Sequence, residues 1–468
     1  MSGIGLVVAF VIAIIAMILA ISKLKIHPFL SIMAVSLIFG LIAGIPLVNT
    51  PGAGGSTIQG IANVIGLGFS GTFTSIGIVI ILGALIGTVL EATGAAFKLA
   101  DMVIKVVGPK HPVLAIQIMG WVVSIPVFCD SGFVILDPIR KALVKRTRVS
   151  SVAMTVALST GLYASHVFIP PTPGPIAAAN TLYGSAEAAG GNLLLVMGLG
   201  ALVSIPALIG AILYSQYIGR RVQSAEDTDI NTVTKSYEEL VAAYGKLPNG
   251  FISLAPIIVP IILMALGSIA SMAGWKGLSL QVLSFLGTPI IALAAGVLFA
   301  VWQIAAAGKM NKFYEITNET LKIAGPILFI TAAGGVLGRV IASTSLVAFI
   351  TNNSKTLAAV GIFFPFLLSA ILKTAQGSST VALTTTAGIV APLLGVLGLE
   401  SPARTALTVM AIGAGAMTVS HANDSYFWVV TNFGGMTPEQ GYKTQTTATL
   451  IEGICGMAGV FVLSLILR

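Results

Sequence analysis

From Ile4 to Ile21 the chain holds only apolar residues and a single glycine. A helix needs roughly 20 apolar residues to cross the hydrocarbon core of a bilayer, and this run is of that length. Comparable runs recur near 28–48, 72–93, 149–183, 193–217, 251–272, 281–306, 323–342, 405–433 and 447–467. Inside a bilayer every backbone N–H and C=O must be paired within the protein, so such a chain folds as bundled helices. Only 9% of residues are charged, against about 25% in soluble domains, which excludes an ordinary cytosolic enzyme. The first run is too long for the apolar part of a signal peptide and lacks a small-residue cleavage site, so it is read as a retained span.

Charge sets the topology. The segment 112–139 is preceded by Lys98, Lys105 and Lys110 and followed by Arg140, Lys141, Lys145, Arg146 and Arg148. The positive-inside rule places both flanks in the cytoplasm. A segment that starts and ends on one side, and is too short to cross twice, reads as a re-entrant hairpin turning at Pro126–Gly132. Most of the 24 Lys and Arg then fall in cytoplasmic loops and both termini face outward. The net charge of +8 is accounted for in this way, without nucleic acid.

The two halves echo each other. Ala84–Thr93 aligns with Gly335–Thr344, Asp130–Leu136 with Gly377–Leu383, and Ser165-His166 with Ser420-His421, in the same order. The predicted fold is an all-α polytopic membrane protein of two inverted repeats, 1–217 and 251–468, joined by a charged cytoplasmic linker at 218–250. Each repeat holds five spans and one re-entrant hairpin, the second at 358–390 entering from outside with its tip near Lys373–Thr380. Broken helices are expected at mid-membrane within 149–183 and 405–433. Inverted repeats with broken helices characterise secondary transporters, whose sites lie at the repeat interface.

Polar clusters mark that site. Asp130, Ser131 and Gly132 interrupt the first hairpin; Gln376, Gly377, Ser378, Ser379 and Thr380 interrupt the second. Four prolines between Pro170 and Pro175, with Thr172 and Gly174 among them, break one span; Ser420, His421, Asn423, Asp424 and Ser425 break another. Backbone N–H groups freed at half-helix N-termini suit an anionic group, and the hydroxyls add donors for a carboxylate and for hydroxyls. The expected ligand is therefore a small hydroxylated acid.

Asp130 and Asp424 are the expected proton-coupling residues, because a carboxylate deep in a bilayer costs several kcal/mol on most estimates. The alternative is that each caps a half-helix and stays ionised. His166 and His421 either relay protons or donate to substrate, or else bond a backbone carbonyl as neutral rings. Glu91, Arg339 and Glu452 are expected to snorkel or to form helix-end pairs. Lys373 either neutralises a substrate carboxylate or snorkels. Cys129 and Phe363–Phe366 read as packing.

Other classes find no support. CxxC, HExxH and Walker motifs are missing, and Gly66–Gly71 matches GxGxxG only by letters, since no βαβ unit surrounds it. A lipid transferase would need a DxxD-type metal site, which the sequence lacks. Nothing reads as a ring-forming channel filter, and no cofactor or enzyme activity is expected. A sodium-coupled carboxylate transporter is the main alternative to proton symport.

At these clusters the chain resembles the gluconate permease (GntP-type) family of proton symporters, within a broader ion-transporter superfamily. The likeness is carried by Phe128–Leu136, Pro170–Pro175, Gly377–Ala382 and Ser420–Trp428. It implies uptake of gluconate or a similar acid with protons, by a homodimer in the inner membrane whose hairpin-bearing domain moves like an elevator against a scaffold. Family members typically have Glu where this chain has Asp130 and often His where it has Thr172; Gln376 stands where an apolar residue is common. These departures point to a smaller acid such as glycerate or hydroxybutyrate. D-serine is the family's other substrate class, and Asp424–Trp428 resembles that subgroup locally.

Overall fold

The computed structural model describes residues 3–52, 56–95, 98–99, 102, 111–125, 127–184, 186–228, 249–272, 275–346, 348–349, 360–421 and 424–467. The apolar N-terminal run forms α1 (Ile4–Ser22), and α2 (Pro28–Ile42) opens on a proline whose fixed φ suits a first helical turn. A small antiparallel ribbon pairs β1 (Thr50–Pro51) with β2 (Thr57–Ile58) in the register Thr50↔Ile58. After α3 (Ile61–Thr93), α4 (Pro112–Val123) and α5 (Cys129–Thr147) form a helix–turn–helix. Next come α6 (Ser151–Phe168), α7 (Pro173–Tyr183), α8 (Ala186–Ile218) and the short α9 (Ala225–Thr228). The second half runs α10 (Gly250–Met272), α11 (Leu278–Gly287), α12 (Pro289–Ala306) and α13 (Phe313–Ala342). It ends with α14 (Phe363–Gln376), α15 (Ser379–Val390), α16 (Pro402–Met417), α17 (Ser425–Phe433) and α18 (Thr447–Ile466).

Among the described residues eight segments are long and apolar enough to cross a membrane. Both predicted breaks are present. α6 stops where Ile169 turns extended ahead of the prolines, and α7 restarts at Pro173, because proline cannot continue a helix but fits its first turn. α16 stops at Met417, and α17 restarts at Ser425 with Asp424 as its N-cap.

Several boundaries differ from expectation. The 28–48 run is helical only to Ile42, and α3 begins eleven residues before the expected 72 because Gly60 caps a helix whose first turns are also apolar. The 281–306 run divides at Thr288, whose extended backbone precedes Pro289. In the first hairpin the turn falls before Cys129, so Asp130 and Gly132 lie in the first turn of α5 instead of in the turn itself. α5 also continues past 139 to Thr147. Most of the expected linker and the start of the second hairpin lie outside the described residues.

Burial organises these elements into a centre and a periphery. Every residue of α6 is buried, as are residues 405–417 of α16. Around them pack α4 and α8 on α6, α14 and α18 on α16, and α15 on α7. α3 lies along α13, which in turn contacts α15. The outer helices α1, α2, α10 and α11 leave large apolar side chains such as Ile12, Leu30, Ile262 and Phe285 exposed, as a lipid-facing surface requires. Close helix approach is set by glycine: a Cβ on Gly161 of α6 would lie 2.1 Å from the Gln117 carbonyl oxygen of α4.

Candidate functional site

Three helix beginnings meet at one cavity. Ser378 is the N-cap of α15, and its Oγ accepts from the Val381 N–H at 3.3 Å. The first turn of α5 carries Asp130, and α17 starts at Ser425. Their first residues line a cavity of about 480 Å³ together with Tyr163 and His166 of α6 and Ile323, Pro326 and Ile330 of α13. The first amides of a helix lack intrahelical acceptors and carry its positive dipole end. A cavity bordered by three such ends favours an anion.

The two aspartates are not equivalent. Asp424 is fully engaged: Oδ1 accepts from the Tyr426 N–H at 3.0 Å, and Oδ2 accepts from Ser420 Oγ at 2.6 Å. Lys373 Nζ lies 2.5 Å from the same Oδ2 and also donates to the Gly377 carbonyl. Lys373 is completely buried, so it does not snorkel. Its charge is spent on Asp424 and on the turn between α14 and α15. Asp130 meets only neutral donors: Ser425 Oγ at 3.1 Å from Oδ1 and Cys129 Sγ at 3.5 Å from Oδ2. Among the described residues no cation pairs with it.

The histidines separate in the same way. His166 lines the cavity, lies parallel to the Tyr163 ring at a centroid distance of 6.5 Å, and its buried Nδ1 has no hydrogen-bond partner among the described residues. His421 lies outside the cavity lining, where Nε2 sits 2.9 Å from the Thr374 carbonyl oxygen. Its geometry is that of a ring pinning the end of α14.

Of the other expected site residues, Gly377, Ser378, Ser379, Thr380 and Ser425 line the cavity. Thr172, Gly174 and Gly132 do not. The Thr172 hydroxyl is turned back onto the Ile169 carbonyl at 2.7 Å, and Gly174 and Gly132 face the side chains of Leu383 and Leu162. Asn423, and the side chains of Ser131 and Gln376, lie outside the described residues. Arg339 is exposed and Glu91 half-buried, as expected of charges near helix ends, whereas Glu452 is completely buried.

Sequence reasoning missed Tyr163, Thr384 and the α13 residues that complete the lining, since an isolated Tyr, Thr or Ile in an apolar run carries no signal. It also missed a buried charge cluster beside the first hairpin. Arg140 Nη2 donates to both Glu226 oxygens at 2.9 and 3.1 Å and pairs with Asp137 at 2.6 Å; Nη1 donates to Ser151 Oγ at 2.7 Å. Lys141 pairs with Asp137 at 2.8 Å and with Glu226 at 3.2 Å. This ties α5 to the start of α6 and to α9. The spacing of Asp137, Arg140 and Lys141 at helical intervals was the available signal.

Comparison with known proteins agrees with this architecture. The profile of the GntP family permeases matches residues 5–466. The chain belongs to the GntP permease family. A gluconate permease of Zymomonas mobilis is 28% identical over 96% of this chain and 95% of its own. The D-serine transporter DsdX of Escherichia coli is 31% identical, with 100% of both chains covered. The crystal structure of the YdaH transporter of Alcanivorax borkumensis shares the fold at a TM-score of 0.61 and 18% identity, covering 94% of this chain and 97% of that one. The chain is thus a multi-pass membrane permease.

Proposed function

We propose that this permease takes up gluconate or a related small hydroxy-carboxylate together with protons across the inner membrane. The observation that carries the reading is the cavity itself, where three helix N-termini and a set of hydroxyls surround one carboxylate, Asp130, that lacks a cation. The helix ends and the Ser379 and Thr380 hydroxyls would hold the substrate carboxylate, and Tyr163, Thr384 and His166 its hydroxyl groups. An ionised Asp130 repels an anion in the same cavity, and its protonation removes that repulsion. Binding of the acid and binding of the proton therefore favour each other. In this scheme Asp424 is the ionised cap of α17, held by Lys373, and shapes the site without exchanging protons.

The matching positions of the α5 and α15 beginnings, and of the two broken helices, support an inverted-repeat reading in which the hairpin pairs reach in from opposite sides. On that reading the hairpin-bearing core, as one protomer of a homodimer, moves as an elevator past a scaffold that includes α13. A second reading has its own observation. The arrangement that holds a carboxylate beside Asp130 also suits a zwitterion, whose ammonium group would pair with Asp130, and a D-serine transporter is among the relatives.

Uptake of labelled gluconate into proteoliposomes under an inward proton gradient tests both, with unlabelled glycerate, hydroxybutyrate, lactate and D-serine as competitors. Gradient-driven uptake blocked by a hydroxy acid supports the first reading. Block by D-serine alone selects the second. Uptake that follows an imposed sodium gradient at constant pH sinks proton coupling.

A further inference from the structure

Glu452 lies in the middle of the C-terminal segment of the fold, on α18, where that helix packs against α6, α8 and α16. Its side chain is 0% exposed, and neither carboxyl oxygen has a hydrogen-bond partner among the described residues. Among the described residues no cation pairs with it. Among the described residues the titratable groups within its electrostatic reach are Cys455, one turn along α18, and Tyr426 of α17. An ionised carboxylate with neither donor nor cation costs several kcal/mol, so the group is seated here as the neutral acid.

Two polar connections lead from the cavity towards it. Tyr426, which lines the cavity, donates from its hydroxyl to the Ser159 carbonyl at 2.9 Å, and Ser159 Oγ donates to Gln445 Oε1 at 2.7 Å just before α18. Asp424 accepts from Ser420 Oγ, and the Ser420 N–H donates at 3.0 Å to Thr449 Oγ1, one turn before Glu452 on the same helix. A buried carboxyl without a hydrogen-bond partner is costly to keep, which makes an intramembrane acid of this kind a functional candidate.

We propose that Glu452 is a second proton-binding site of the transport cycle, loaded in the state described here, so that each substrate moves with two protons, one on Asp130 and one on Glu452. This rests on the proton-coupled reading above. With the membrane potential clamped at zero, each coupled proton multiplies steady-state accumulation by about tenfold per pH unit of gradient.

The test measures accumulation of the labelled substrate in proteoliposomes across a one-unit pH gradient. The wild-type protein should accumulate it about a hundredfold, and Glu452→Gln, which mimics the neutral acid, about tenfold, with substrate exchange at equal pH unchanged. A Glu452→Gln protein that keeps the full wild-type ratio overturns the proposal. So does a wild-type ratio of about tenfold, which needs no variant to fold. A wild-type protein that only equilibrates its substrate would instead remove proton coupling as a whole.

Discussion

Lys373 Nζ lies 2.5 Å from Asp424 Oδ2, with the lysine completely buried and the aspartate at the cavity wall. The pair joins the end of α14 to the beginning of α17, so one ion pair fixes two of the irregular segments that shape the site. It also decides which carboxylate remains chemically available. Removing one partner of a buried pair leaves an uncompensated charge and costs about 3–5 kcal/mol. Lys373→Met and Asp424→Asn should each lower the melting temperature in detergent. The double variant should recover part of the loss, with a coupling of about 1–3 kcal/mol. Strictly additive losses would show that the pair does not act as a unit.

Asp130 has the opposite character, with two neutral donors and, among the described residues, no cation. Asp130→Asn is a permanent copy of its protonated form. Exchange of labelled for unlabelled substrate should persist in that variant, while accumulation across a one-unit pH gradient falls about tenfold. Wild-type accumulation would take Asp130 out of the coupling step.

How far the sequence foretells such differences depends on range. The breaks at Pro170–Pro175 and before Asp424 were legible because proline and local capping act within a turn or two of themselves. The cluster at Gly377–Thr380 was legible for the same reason. The pairing of Lys373 with Asp424 was not, since the two are far apart in the chain and only the packing of α14 against α16 brings them together. Thr172 shows the converse error. A hydroxyl among prolines looked available, but its nearest acceptor is the carbonyl its own helix break sets loose, at Ile169. Arg140 and Lys141 read in the sequence only as basic residues marking a cytoplasmic flank, yet their main contacts are carboxylates from Asp137 and Glu226.

The hydroxyls at the beginning of α15 should report directly on substrate. Ser379→Ala or Thr380→Ala removes one donor from the cavity, where a net hydrogen bond is worth about 0.5–1.5 kcal/mol. The half-saturation concentration should rise by about twofold to just over tenfold, with the amount of folded protein unchanged. An unaltered value for both variants would place the carboxylate of the substrate elsewhere.

Acid should loosen the cluster beside the first hairpin. Burial alone would push the Glu226 carboxyl up, but Arg140, the Ser151 hydroxyl and Lys141 outweigh it and hold it below its usual range. A group lowered in the folded state contributes stability that is fully present above its unfolded value, about 4.3. That contribution fades as pH falls through the lower folded value. The melting temperature of the wild-type protein should therefore drop below about pH 4. Glu226→Gln should start lower at pH 7 and converge with wild type in acid. Curves that stay parallel would mean that Glu226 is not a source of this stability.

The contact between α13 and α15 offers a test in which one substitution has opposite signs at two sites. A Cβ on Gly388 of α15 would lie 2.4 Å from the Gly334 carbonyl oxygen of α13, and a Cβ on Gly338 would lie 2.5 Å from the Gly388 carbonyl oxygen. Backbone atoms cannot swing aside as a flexible side chain does, so Gly388→Ala must push the two helices apart. Overpacking of this kind costs about 1–3 kcal/mol. Gly66, inside α3, has no described residue's atom within 4 Å of the position a Cβ would take. There the same substitution only removes conformational freedom from the unfolded chain and should gain about 0.4–1 kcal/mol. The α13–α15 contact also lies where the proposed elevator movement would slide one face along another. Gly388→Ala should therefore slow exchange as well as lower the melting temperature, while Gly66→Ala should leave exchange at the wild-type rate. If Gly388→Ala melts earlier yet exchanges normally, the two helices move together and the sliding surface lies elsewhere.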